Sequence, residues 1–192
     1  MTHFVTTKLK AASPYSQSRA HEAARLPKET GDAYEQRTWR ERVHVKDGAV
    51  CIPAMALKMA VDTAAKRLGL QIPGRGKATY TKHFLSGCLM QRDVPLLLEG
   101  LSITVDDLEC DRIYANADGV RGSGKRVWRY YPRVDQWHAE AIFTIADPAI
   151  TQEVFSKALT EAGQFIGIGR FRSENGGLYG RFTVESIAWG QQ

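Results

Sequence analysis

The chain has 192 residues, 43% hydrophobic and 24% charged, and a net charge of +5, which fits one globular domain with a buried core. Its three widely spaced cysteines exclude a disulfide framework and a paired-cysteine metal motif, and no apolar run is long enough to span a bilayer. We therefore expect a cytoplasmic protein of a bacterial host cell, without cofactor or metal, whose basic charge suggests an anionic partner.

The amino-terminal half contains one segment with the hydrophobic spacing of a strand and one with that of a helix. Residues 3–11 alternate loosely and include β-branched residues, which predicts a first strand. Residues 13–42 are polar and charged, and we interpret them as an irregular arm. A short apolar strand then ends at Pro53, and apolar residues at helical spacing up to Gly69 predict a helix with a glycine stop.

The carboxy-terminal half alternates strands with one helix, and this order predicts an α+β fold with a ferredoxin-like or RRM-like βαββαβ core. A basic β-hairpin and long loop insertions are added to that core in a single domain, residues 1–192. Thr151 is the predicted N-cap of the second helix and Gly163 its end. The other predicted segments are a long basic loop with at most one short helix (71–92), one or two strands turning at Gly100 (94–105), the hairpin (about 111–134), a strand (137–145) and a last strand (179–188).

Two short motifs imitate nucleotide-binding loops but lack the required context. GVRGSGKR, residues 119–126, nearly matches the P-loop and fails at Arg126, where a hydroxyl side chain should hold magnesium. GIGRFR, residues 167–172, follows a predicted helix and precedes a predicted strand, which reverses the order of a dinucleotide fingerprint. Among five scattered histidines, only His83 in the basic loop is a candidate general base for RNA cleavage.

Basic residues interleaved with aromatic ones are the main functional signal. In KRVWRYYPR, residues 125–133, a strand directs Arg126, Trp128 and Tyr130 to one face, where arginines neutralise phosphates and rings stack on bases. GIGRFRSENGGLYGRF, residues 167–182, adds arginines to glycines that let a backbone approach a ligand closely. The structural alternatives are a hairpin with a solvated basic edge and a flexible surface turn.

Two stretches together resemble the RAMP superfamily, RRM-fold proteins that hold guide RNA in CRISPR effector complexes. VCIPAMALKMAVDTAAK contains an Ile-Pro-x-x-x-Leu-Lys helix start (Ile52, Pro53, Leu57 and Lys58), and GIGRFRSENGGLYGRFTVE resembles the glycine-rich loop before the last strand. The carboxy-terminal third is also similar to uncharacterised phage and prophage proteins. The resemblance implies an RRM-like core, backbone binding by the glycine-rich loop and nearby basic residues, and side-by-side assembly on a strand.

We therefore predict a non-enzymatic protein of phage or prophage origin that binds single-stranded DNA or RNA with little sequence preference, and no membrane. The alternatives are a metal-independent RNA endonuclease that uses His83 or a tyrosine, and an anti-CRISPR-like interaction module that docks through its acidic stretch, residues 99–118. The residues predicted to contact nucleic acid are Lys58, Arg75, Lys77, Lys82, Arg121, Lys125, Arg126, Trp128, Arg129, Tyr130, Arg133, Gly167, Gly169, Arg170, Arg172, Gly176 and Gly177.

Overall fold

The computed structural model describes residues 2–117, 122 and 124–191, so most of the predicted hairpin tip, including Arg121, lies outside the described residues. The strands are β1 (His3–Ala11), β2 (Tyr15–Ser16), β3 (Val45–Lys46), β4 (Ala49–Ile52), β5 (Cys88–Leu89), β6 (Val94–Leu98), β7 (Leu101–Ser102), β8 (Glu109–Asn116), β9 (Arg126–Val134), β10 (His138–Ile145) and β11 (Phe182–Gln191). The helices are α1 (Gly31–Thr38), α2 (Ala54–Leu68), α3 (Thr81–Gly87) and α4 (Gln152–Glu161).

The central strands follow the order β11-β1-β10-β6, and each neighbouring pair is antiparallel. Because α2 lies in the chain between β1 and β6, and α4 between β10 and β11, this is the βαββαβ arrangement of a ferredoxin-like fold. The predicted fold class is confirmed. The short strand directly before α2 is β4, which pairs with β6 and widens the sheet beyond the core.

One face of the sheet is buried beneath α2 and α4, which pack against each other. Along β1, Val5 and Leu9 are fully buried, whereas Lys8 and Lys10 are exposed on the opposite face. The period-two alternation predicted for 137–145 is also confirmed, since every second side chain from Trp137 to Ile145 is buried. The hydrophobic patterns thus place both helices on one face and leave the other face of the sheet open.

The end of α4 differs from the prediction. The hydroxyl of Thr151 accepts a hydrogen bond from the Val154 amide, so the predicted N-cap is confirmed. Beyond α4 the chain continues as a π-helix, Ala162–Ile166, and turns only at Gly167, whose φ is +73°. Gly163 is small for another reason: a Cβ there would lie 2.2 Å from the Phe182 carbonyl oxygen. This glycine therefore marks a helix–strand contact.

Residues 13–42 contain more regular structure than predicted. They supply β2, which joins β9 and β8 in a second sheet, and α1, which packs against β9. The predicted hairpin is confirmed as β8 and β9, and α3 is the one short helix of the long loop. Thr30 caps α1 through the Ala33 amide, and the side chain of Glu35, although charged, is buried. Because polar contacts hold α1, hydrophobic periodicity does not reveal it.

Candidate nucleic-acid interface

A groove of about 800 Å³ lies between the glycine-rich loop, residues 167–181, and the start of α2. Its titratable lining side chains include two arginines and a histidine, and no carboxylate lines it among the described residues. We call this the glycine-loop groove. Its lining residues are Tyr15, Gln17, Ser18, His44, Pro53, Ala56, Gly169, Arg170, Phe171, Arg172, Asn175, Gly176 and Gly177.

The glycine-rich loop is held by backbone hydrogen bonds to the chain after β1. The Arg170 amide donates to the Ser16 carbonyl at 2.8 Å. Gly169 has a φ of +73°, and a Cβ on it would lie 2.3 Å from the same Ser16 oxygen. A Cβ on Gly177 would likewise lie 1.8 Å from the Phe171 carbonyl oxygen. The loop's own packing therefore requires these two glycines, and the close approach of a ligand to their backbone stays a prediction.

The opposite wall is built by one buried glutamine. The Gln17 side chain donates to the Cys51 carbonyl at 3.1 Å and accepts from the His44 amide at 2.7 Å, so it joins the chain after β2 to the chain before β3. His44 is thereby fixed at the groove. Burial lowers the pKa of the His44 imidazole below its ordinary 6.5, and the charge of Arg19 lowers it further. The neutral ring is therefore the favoured form at pH 7.

The two arginines that line the groove are held differently. The guanidinium of Arg170 lies over the rings of Tyr131, at 4.0 Å, and Phe171, at 4.9 Å from the centroids. Arg172 donates from Nε to Glu174 at 3.0 Å, and both side chains are partly exposed. Because an exposed ion pair contributes little free energy, a phosphate is able to replace Glu174 as the partner of Arg172. Arg170 is preorganised, whereas Arg172 is adaptable.

A smaller cavity of about 210 Å³ continues the glycine-loop groove along α2. It shares Ala56, Gly169 and Arg172 with the groove and is also lined by Met59, an exposed side chain, and by Glu174, the partner of Arg172. The two spaces together form a path past the glycine-rich loop. Gly176, by contrast with Gly169, has open space where a Cβ would be, although its φ is +73°.

The ribbon of β8 and β9 has the predicted alternation of faces, but its aromatic face is already partly covered. Arg112 lies over the rings of Trp128, at 4.1 Å, and Tyr130, at 5.6 Å. Trp128 is 40% exposed, whereas Tyr130 is only 7% exposed. In this structure Arg112 and the sheet bury the ring of Tyr130, whereas the predicted stacking on a base requires an exposed ring face. Trp128 keeps an accessible surface, and Arg126 lies over the ring of Tyr114 at 5.0 Å.

The remaining basic residues of the ribbon are divided between internal ion pairs and solvent. Arg129 points away from Trp128 and pairs with the buried Glu35. Arg133 pairs with Asp111 and Asp135, and the hydrogen bond to Asp135 is the main cause that raises the pKa of its guanidinium. Lys125 is exposed. Within the described residues, Lys125 makes no such ion pair, in contrast to Arg129 and Arg133.

Lys58 does not line the groove. Its side chain is 8% exposed, and its ammonium donates to Asp62 at 2.6 Å and to the Phe84 and Leu85 carbonyls at 3.2 and 3.3 Å. In this structure the lysine ties α3 to α2, whereas the predicted contact with nucleic acid requires its ammonium at the surface. The other predicted cations of this region are exposed and do not line the groove: Arg75, Lys77 and Lys82.

The two features behind the alternative hypotheses lie outside the groove. His83 is paired through Nδ1 with Asp147 Oδ2 at 2.6 Å, a contact that orients the imidazole. In the acidic stretch, Asp111 also accepts from the Tyr179 hydroxyl at 2.6 Å, and Asp107 caps Thr104. Part of that stretch is therefore used inside the fold. Within the described residues no group of three or more metal-ligating side chains is assembled, and no helix is long and apolar enough to cross a membrane.

Sequence reasoning missed several residues of the interface. Tyr15, Gln17 and His44 line the groove, yet none of them lies in a recognised motif. Tyr131, which supports Arg170, lies in KRVWRYYPR but was not among the predicted contacts. The available signal was WRERVHVK, residues 39–46, a basic and aromatic run directly before the first apolar strand of the sheet edge. Only residues 39–42 of this run fall in the predicted arm, which was interpreted as irregular because it is polar and charged, and His44 lies beyond it.

This sequence matches no protein-family model and no curated protein. The structure is similar to the crystal structure of Cmr6 from Pyrococcus furiosus, with a TM-score of 0.50 and 15% sequence identity, over 96% of this chain and 98% of that chain. It also matches the cryo-EM structure of the Type III-B Cmr-beta bound to cognate target RNA, with a TM-score of 0.48 and 12% identity, over 99% of this chain and 61% of that chain. At these identities the likeness to Cmr6 concerns the fold.

Proposed function

We propose that this protein binds single-stranded nucleic acid without cleaving it, in the glycine-loop groove. The observation that carries the proposal is the lining of that groove, which combines Arg170, Arg172 and His44 with exposed backbone and has no carboxylate among the described residues. A polyanion is attracted to such a surface, and guanidinium groups bind phosphate oxygens with directed hydrogen bonds. The strand follows the groove past the loop and continues along α2.

Aromatic side chains favour a single strand over a duplex, because unpaired bases expose the faces on which rings stack. Phe171 lies in the groove, and Trp128 is accessible on the neighbouring ribbon. The two RAMP-like sequence motifs support the same function, since both border the groove. Origin from a phage or prophage and side-by-side assembly on the strand stay predictions from the sequence.

The test is fluorescence anisotropy with a labelled oligonucleotide at low salt. We expect the wild-type protein to bind, with an affinity that falls as salt rises. Replacing Arg170→Ala and Arg172→Ala together should weaken binding about tenfold for each lost charge-assisted contact. The slope of log affinity against log salt should decrease by about 0.7 for each phosphate contact removed.

The matched control is Lys8→Ala with Lys10→Ala, which removes two positive charges from the open face of β1. We expect this variant to retain wild-type affinity within about threefold, because unpaired exposed charges away from the strand act only through the screened field. Absence of wild-type binding at low salt contradicts the proposal. Equal losses in the two variants would show general electrostatic attraction and no groove. Competition between DNA and RNA of the same length then identifies the preferred strand.

A second candidate function, a metal-independent RNA endonuclease, is favoured by the contact between His83 and Asp147. A carboxylate on Nδ1 leaves Nε2 as the proton-accepting nitrogen of a general base. Incubation of labelled RNA with the protein in EDTA distinguishes the two functions. Fragments that disappear in His83→Ala support the nuclease, and intact RNA at full binding supports the non-enzymatic function.

A further inference from the structure

Three arginines from different parts of the chain gather around Tyr131, next to the glycine-loop groove. The ring of Tyr131 is 3% exposed, and the guanidinium carbons of Arg170 and Arg42 lie 4.0 and 5.4 Å from its centroid. These two positive charges are therefore within about 10 Å of each other, roughly one Debye length at moderate salt. Arg129 is the third, and its charge also acts on Arg170. We call this set the arginine cluster.

The arginine cluster contains more positive than negative charge. Glu35 is buried and pairs with both Arg42, at 2.9 Å, and Arg129. Arg170 has no ion pair within the described residues. Three guanidinium groups thus share one carboxylate. Burial lowers the pKa of Arg170, and the charges of Arg42 and Arg129 lower it further, whereas Tyr131, which hydrogen-bonds the Arg170 side chain, opposes this shift.

Hydrogen-bond donors without acceptors are a second indication of an anion site. The Nε atoms of Arg42 and Arg170 are both buried, and neither has a hydrogen-bond partner in the part of the chain that the structure describes. A buried donor without an acceptor costs about 1–3 kcal/mol, and more when it is charged. Native proteins retain such groups where a ligand or water completes them. Excess positive charge and unpaired guanidinium donors together fit an anion with several acceptor oxygens.

We propose that the arginine cluster is a dedicated site for one phosphate group of the bound strand. The site rests on the proposed function, because its phosphate belongs to the strand in the glycine-loop groove. Arg170 lines that groove and makes the direct contact. Arg42 supplies further positive charge from behind the Tyr131 ring, and Arg129 supplies it from the face of the ribbon that packs against α1. Glu35 holds two of the arginines in place and limits the net charge of the empty site.

If the cluster binds a phosphate, removing a positive charge and removing the negative charge should change the affinity in opposite directions. A purely structural cluster does not predict this. Arg42→Gln removes one positive charge and should weaken oligonucleotide binding about tenfold in the anisotropy assay. Glu35→Gln keeps the shape of the side chain but removes the negative charge, so it should tighten binding severalfold. The matched control is Arg37→Gln, an α1 arginine that pairs with Glu29 outside the cluster, and it should leave the affinity unchanged.

The outcomes separate this site from the groove as a whole. If the wild-type protein binds but Arg42→Gln binds equally well, the phosphate site is overturned and the proposed function stands. If Glu35→Gln and Arg42→Gln weaken binding alike, the cluster is structural and the site is again overturned. If the wild-type protein does not bind, the proposed function itself has failed. Should Glu35→Gln not fold, thermal unfolding with inorganic phosphate replaces it: phosphate at constant ionic strength should raise the Tm of wild type, and less so that of Arg42→Gln.

Discussion

The glycine-loop groove and the open face of the sheet offer cavities of similar size with opposite electrical character. The sheet-face cavity has a volume of about 860 Å³, slightly larger than the groove's 800 Å³. Its lining includes two basic and three acidic side chains, in contrast to the groove. These charged residues are Lys46, Asp47, Arg92, Asp93 and Glu140. Size therefore does not distinguish the two cavities, whereas the sign of the lining charge does.

The two regions also differ in how the chain builds them. The cavity on the sheet face results from strand alternation, which leaves Phe4 and Ile142 partly exposed. Scattered exposure of apolar side chains is normal at a protein surface. The groove depends on contacts between distant segments, such as the Arg170 amide on the Ser16 carbonyl. Preorganised backbone and fixed arginines are features of a binding surface, because their ordering cost is met on folding and not on binding.

The largest expected effect concerns Lys58, which separates stability from binding. Lys58→Met leaves the largely buried Asp62, whose side chain is 13% exposed, without its partner, so the free energy of unfolding should fall by about 3 kcal/mol. The affinity of the folded protein for an oligonucleotide should stay within about twofold, because the ammonium does not reach the groove. Urea denaturation and anisotropy measure the two quantities.

The control is Lys66→Met, an exposed position of α2, which should change stability by less than about 0.5 kcal/mol. Weaker binding by the folded Lys58→Met protein would contradict the conclusion that Lys58 lies outside the binding surface.

A smaller effect is expected from pH, through His44. In the free protein the folded state favours the neutral ring, so the stability that His44 contributes is complete above its unfolded pKa of 6.5 and is lost as the pH falls through its lowered pKa. A bound phosphate favours the charged ring and raises that pKa. By linkage, affinity should rise severalfold between pH 7 and pH 5, and His44→Gln should remove the increase. His138→Gln, outside the groove and beside Glu185, is the control and should keep it. A pH dependence that survives in His44→Gln would place the titrating group elsewhere.

Most of the fold could be predicted from the sequence, because its elements are encoded by local hydrophobic patterns. The alternation of β1 and β10 and the helical spacing of α2 decide which faces are buried, and the order of the elements then restricts the topology. Where polar contacts decide, prediction failed: α1 is held by Thr30 and by the ion pairs of Glu35, and neither leaves a hydrophobic period. Gly163 was mistaken for a helix end because a glycine's close contact with a distant strand has no local signature.

The site was predicted less completely than the fold. The glycine-rich loop with Arg170 and Arg172 was predicted from its composition and a family resemblance, whereas Lys58 was assigned to the groove although its ammonium is buried. Charge in a sequence does not show whether a side chain meets solvent or a buried carboxylate. His44 and Tyr131 reach the interface only through the path of the arm and the ribbon. Such long-range contacts bring together residues that a single sequence does not link.

The most direct test of the account is where a bound strand touches the protein. Ultraviolet cross-linking of the wild-type protein to an oligonucleotide carrying photoreactive thiolated bases, followed by mass spectrometry of the peptides, makes this measurement. The account predicts cross-links on the groove side, at Phe171 and His44, that disappear when Arg170 and Arg172 are both replaced by alanine. Cross-links concentrated at Phe4 and Ile142 on the sheet face, with the groove unlabelled, would contradict it.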